Sequence, residues 1–212
     1  MHFLNKSLKL FTAFGIPVKA HMSILVLFGL IALMGSAYVP VYAILFASVI
    51  AHEFGHALTA RRFGGDCKVI YMHVFGGAAM VTIPKSLKAE WVIAVMGPVT
   101  SLALAGIFYV LTVMTGLYYF WLVYALNLMI GLFNLAPVYP MDGGRIFKSV
   151  TSYFLGEERG TMVAIWVARV IATLAAAWGI YSGRYMFVVL AAFIVMFGSA
   201  EYNGLKRNRG WK

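Results

Sequence analysis

Apolar residues run along this chain in blocks too long for a soluble core, with polar residues confined to the joints between them. Six blocks read as helices across a bilayer, a crossing that takes about 20 residues at about 1.5 Å each. They cover about Met22–Val39, Val41–Arg61, Trp91–Thr115, Leu117–Ala136, Thr161–Ser182 and Tyr185–Ala200. From Trp91 to Met141, 51 residues pass without an Asp, Glu, Lys, Arg or His, which is room for two crossings. Pro40, Gly116 and Gly183 mark tight turns between consecutive blocks.

Two joints carry a pattern of their own. Cys67–Ile83 is rich in β-branched and aromatic residues around Gly76-Gly77, which predicts a short β-hairpin or small sheet. Pro137–Arg145 is a Pro- and Gly-punctuated turn, with a short helix expected after it at about Gly144–Leu155. The expected fold is therefore an all-α polytopic membrane protein of about six transmembrane helices. A β-hairpin or small sheet lies between the second and third, and residues 1–212 form a single integral membrane domain.

Composition agrees: the chain is 62% hydrophobic and 11% charged, against about 25% charged in soluble domains. The formal charge of +10 does not point to nucleic acid, because the cations sit at the ends of apolar blocks, as topology signals do. Of 17 Lys and Arg, Arg169 falls inside a span and Arg184 on the opposite side, leaving 15 on the side of the N-terminus. That bias makes both termini cytoplasmic. The first apolar block, preceded by basic residues, reads as a retained span and not as a cleaved signal peptide. The single cysteine, Cys67, excludes an internal disulfide and a Cys-based zinc site.

Within the second apolar block stands His52-Glu53-Phe54-Gly55-His56. Histidines four apart project from one helix face. With a glutamate after the first, this is the H-E-x-x-H arrangement in which two imidazoles bind Zn²⁺ and the carboxylate acts as general base. A charge at mid-bilayer costs about 2.5–3.5 kcal/mol on the insertion scale, so charges there are functional by default. The alternative is an intramembrane polar cluster without a metal.

A catalytic zinc site takes three protein ligands, and Asp142 is the remaining acidic candidate on the inner side. His52 lies 9 residues before Arg61, about 13 Å along the helix. Asp142 matches that depth only if Pro137–Gly144 folds back as a protein-shielded, non-helical segment. On spacing alone an Asp-Gly turn at the surface accounts for Asp142 equally well. Asn134 reads either as a donor to a tetrahedral oxyanion or as a helix–helix hydrogen bond. Gly97-Pro98 with Thr100-Ser101 reads as a kink and close-packing element of the third span.

The combination of HEFGH (52–56), FGG (75–77), GPVTS (97–101) and NLAPVYPMDGGR (134–145) resembles the site-2 protease family of intramembrane zinc metalloproteases. The matching pieces span the second to fourth blocks, a catalytic core of about 41–145. The resemblance implies His52, His56 and Asp142 as ligands of one zinc per chain, with Glu53 as the base. It implies that Phe75, Gly76 and Gly77 contact substrate, and it adds no role for Met141, where many relatives have Leu. Many members also carry PDZ or CBS domains, for which this chain leaves no room.

The expected activity is hydrolysis of peptide bonds in or near the transmembrane segments of membrane-protein substrates. The partners implied are that substrate and the lipid bilayer, with no nucleic acid and any regulatory membrane partner unspecified. The expected location is the cell membrane of a prokaryote, multi-pass, with the active site toward the cytoplasmic side. An unwound substrate strand would add to the edge of the 67–83 hairpin; the alternative is a hairpin that only plugs the cavity. Competing readings are an ion or metal transporter using the intramembrane His, Glu and Asp, and a catalytically silent adaptor that binds membrane segments.

Overall fold

A computed structural model describes residues 7–35, 37–73, 76–82 and 86–208. Eleven elements follow one another: β1 (Ser7–Ala13), β2 (Ile16–His21), α1 (Met22–Met34), α2 (Tyr38–Arg62), β3 (Asp66–His73), β4 (Gly76–Thr82), α3 (Leu87–Thr115), α4 (Tyr118–Asn134), α5 (Asp142–Leu155), α6 (Glu157–Tyr181) and α7 (Met186–Asn208). The chain divides into two units, Met1–Pro84 with Met96–Leu132, and Lys85–Val95 with Phe133–Lys212.

In the first unit the expected hairpin is half of a larger sheet. Four strands run in the order β1-β2-β3-β4, with β2 and β3 parallel and the outer pairs antiparallel. The N-terminal hairpin was not anticipated. Its lysines look like topology charges, yet the alternation that makes a strand is present in Ile16, Val18 and Ala20. These three are buried and pack with Cys67, Ile70 and Met72 of β3 and Ala57 of α2. Arg61, at the end of α2, ties the sheet to the helix. Its guanidinium donates to the Phe14 carbonyl at 2.5 Å and the Cys67 carbonyl at 3.5 Å, and lies 3.8 Å from Asp66.

The helices match the expected blocks with one correction. Pro40 does not separate the first two. The chain turns at Gly35 (φ 145°) instead, and Pro40 lies in the first turn of α2, where a missing N–H costs nothing. Among the described residues α2, α3 and α6 are long and apolar enough to cross a membrane. By contrast, α1 (13 residues) and α4 (17 residues) fall short of the usual length, as does the apolar part of α7, Met186–Ala200. Gly116 (φ 68°) and Gly183 (φ 69°) make the turns expected of them.

Small residues set the helix approaches of the first unit. A Cβ on Gly55 of α2 would strike the Met96 carbonyl and Thr100 of α3, and one on Gly131 of α4 would meet Leu102 at 2.8 Å. Close backbone approach of this kind drives helix association in lipid, where hydrophobic burial gives no net pull.

In the second unit α5 packs on α6 and α6 on α7, and Val138 and Met141 before α5 join Ala168, Ala172, Ala191 and Ile194 of α6 and α7 in one core. Gly156 (φ 81°) turns the chain between α5 and α6. Gly160 lies against the Ser152 backbone, while Thr151 Oγ1 donates to the Gly160 carbonyl at 2.9 Å. Lys148 of α5 pairs with Glu90 of α3 at 3.2 Å, both side chains largely out of water.

Candidate metal centre and active site

One stripe of α2 is polar in an otherwise apolar helix: Ser48, His52, His56 and Thr59 are all buried. Their spacing of three and four puts them on one face. His52 and His56 bring their Nε2 atoms to 3.2 Å, with the rings nearly perpendicular at 79°. The other ring nitrogen of His52, Nδ1, lies 3.0 Å from the Ser101 hydroxyl of α3, which is fully buried. When Nδ1–H donates to Ser101, Nε2 carries the lone pair, the tautomer a metal ligand needs.

Space in front of these nitrogens comes from a glycine. A Cβ on Gly97 would lie 2.7 Å from His52 Nε2 and also overlap the His56 ring at Nε2 and Cε1. Two imidazole nitrogens brought this close, with no room for a side chain between them and α3, suit a borderline cation such as Zn²⁺. The donor set therefore fits the metal that H-E-x-x-H implies. The segment 97–101, read from sequence only as packing, contributes both the clearance and the histidine's orienting partner. The available signal was its four-residue spacing, which puts Gly97 and Ser101 on one face of α3.

Glu53, one residue after His52, lies about 100° round the helix from it and reaches β4. Its Oε2 accepts the Ala79 amide of β4 at 2.9 Å, and Gly77 is so close that a Cβ there would lie 2.7 Å from Glu53 Cγ. Gly76 (φ 130°) and Gly77 open β4; Phe75, the third residue expected to contact substrate, lies outside the described residues. A second polar pair sits one turn before His52, where Asn127 Nδ2 of α4 donates to Ser48 Oγ at 2.8 Å.

In the second unit, Asp142 is the first residue of α5 and is buried, not set in an open surface turn. Residues 135–141 before it are non-helical, while 142–144, also expected to be non-helical, open α5. The two glycines after Asp142 act differently from expectation. They are helical and permit contact, because a Cβ on Gly143 would strike the Leu135 and Ala136 carbonyls, and one on Gly144 would lie 2.7 Å from the Val138 carbonyl carbon. Arg145, one turn on, approaches Asp142 Oδ1 at 3.8 Å. Asn134 is the last residue of α4 and partly exposed.

Other polar residues have structural employment. His73 ends β3, its ring 5.2 Å from that of His21, and His21 caps α1 by accepting the Ser23 amide. Arg169 lies over the Trp166 ring at 5.4 Å. Burial pushes the Cys67 thiol above its ordinary pKa, which keeps it protonated and unreactive near neutrality.

Comparison with known proteins defines the class of this helix-borne histidine pair. The sequence model of peptidase family M50 matches residues 40–118 and 114–177, and the chain belongs to that family. It is 31% identical over 209 residues to a zinc metalloprotease of Methanocaldococcus jannaschii, covering 93% of this chain and 61% of the relative. A Synechocystis relative is 31% identical over 205 residues, covering 84% of this chain and 53% of its own length. The chain thus spans between half and two thirds of these two curated relatives. The solved structure of the site-2 protease from M. jannaschii matches with a TM-score of 0.69 at 27% identity. That match covers 92% of this chain and 95% of the other.

Proposed function

We propose that this chain is an intramembrane zinc metallopeptidase that hydrolyses peptide bonds in or near the transmembrane segments of membrane proteins. The observation that carries the reading is the pair of Nε2 atoms 3.2 Å apart beside a helix position, Gly97, where any side chain would collide with both rings. His52 and His56 would hold one zinc per chain through Nε2, with the buried Asp142 carboxylate as third ligand, as the N-x-x-P-x-x-P-x-D-G run at 134–143 suggests. Zinc, when bound, supplies Lewis acidity that eases proton loss from water near neutral pH and polarises a peptide carbonyl. Glu53 accepts the proton of the attacking water on a carboxylate oxygen and returns it to the departing amine nitrogen. Asn134 Nδ2 donates to the oxyanion. Ser101 holds the His52 ring, and the apolar faces of the surrounding helices keep bulk water away.

A helical substrate hides its peptide groups, so it presents an unwound strand to the edge of β4, where main-chain hydrogen bonds require little of its sequence. Six crossings with both termini in the cytoplasm fit the cation bias. In that topology α1, α4 and α7 span with fewer apolar residues than usual, which a locally thinned bilayer accommodates. The site then lies toward the cytoplasmic side, in the cell membrane of a prokaryote, in keeping with the archaeal and cyanobacterial relatives.

Purified wild-type and Glu53→Gln protein, each assayed for zinc content and for cleavage of a membrane substrate, test the mechanism. The variant should keep its zinc and lose cleavage by about 10²-fold or more, the contribution expected of a positioned general base. A zinc-loaded Glu53→Gln protein that still cleaves at the wild-type rate contradicts it.

A further inference from the structure

The proposed base is already engaged. Glu53 Oε2 takes the Ala79 amide of β4 at 2.9 Å, and β4 is one of the two edge strands of the sheet among the described residues. In an antiparallel pair, alternate residues point N–H and C=O toward the partner strand and away from it. Ala79 stands opposite Ile70 of β3, but its N–H is spent on Glu53. That N–H therefore lies on the outer edge, where an added strand would find it. Gly77, two residues earlier and of the same parity, lies against Glu53 Cγ with no room for a Cβ. The carboxylate thus occupies the hydrogen-bonding slot that an incoming extended peptide needs.

We infer that the Ala79 amide is a shared donor: it holds the Glu53 carboxylate until an extended peptide segment pairs with β4, takes that N–H with one of its carbonyls and releases Glu53 for proton transfer. The inference rests on the reading of Glu53 as base and goes beyond it by making the base available only when a strand is in place. One N–H serves one well-aligned acceptor at a time, so strand pairing and the Glu53 contact exclude each other. The exchange costs little, since one hydrogen bond to the amide replaces another. Ala79 is in this sense a positioning residue that acts through Glu53, and Gly77 is the residue that allows the approach.

Two measurements test it on the full chain in detergent. Amide exchange at Ala79, read in protein labelled with ¹⁵N at alanine, should be slow in wild type. It should stay slow in Glu53→Gln, whose side-chain carbonyl still accepts, and accelerate at least tenfold in Glu53→Ala. Unchanged exchange in Glu53→Ala overturns the inference. Replacing Ala79 by lactic acid removes the N–H while keeping the side chain and strand. On a cleavable membrane substrate, this ester variant should show a KM raised several-fold with kcat held or increased, because strand binding loses a donor and the base loses its restraint. A fall in kcat with KM unchanged overturns the inference, since the amide would then be orienting Glu53 productively. Cleavage by zinc-loaded Glu53→Gln removes the base assignment itself, an outcome distinct from either failure.

Discussion

The chemistry at single residues depends on partners far away in sequence. His52 and His56 declare themselves within five positions, because a helix puts i and i+4 on one face and few other roles bring two histidines and a glutamate into an apolar run. What orients them does not declare itself. Ser101 lies 49 residues from His52, yet it is the hydroxyl beside Nδ1. Gly97 reads like any helix-packing glycine, yet a Cβ there would collide with both rings. Partners that orient metal-binding histidines are worth about 10–100-fold in metal affinity. Ser101→Ala should accordingly weaken zinc binding by about that factor in chelator competition while leaving the helical circular dichroism unchanged. Wild-type affinity in that variant would show that the hydrogen bond does not set the imidazole.

At the scale of elements, long apolar helices were legible and short interfaces were not. α2, α3 and α6 were readable from hydropathy, because each holds an apolar run that only lipid or a buried core accommodates. The N-terminal hairpin was hidden because β1 is largely exposed and β2 alternates for only six residues. Its pairing with β3, across α1 and α2, is a long-range fact that no local pattern encodes. The turn expected over Pro137–Arg145 ends at Met141, and the glycines of D-G-G lie inside α5, where they serve contact and not backbone reversal. Gly143→Ala should lower the stability of the fold by about 1–3 kcal/mol, the usual cost of overpacking. By comparison, Gly198→Ala in α7, where nothing lies within 4 Å, should change it by no more than about 1 kcal/mol and in the stabilising direction. Thermal unfolding of the two variants in one detergent separates these outcomes; equal melting temperatures would show that the α5 start is loosely packed.

For the whole molecule, family membership and the sequence pattern meet in the same place. The M50 match covers 40–118 and 114–177, which takes in H-E-x-x-H, the sheet edge and the D-G-G turn. Those pieces were legible because catalysis restricts residue types at fixed spacing. The proposed zinc site of His52, His56 and Asp142 is tested by zinc stoichiometry after matched dialysis against a weak chelator, for wild type and Asp142→Asn. One zinc per wild-type chain, with its loss from the variant while the fold survives, is the predicted result; equal zinc retention by both proteins would contradict the site.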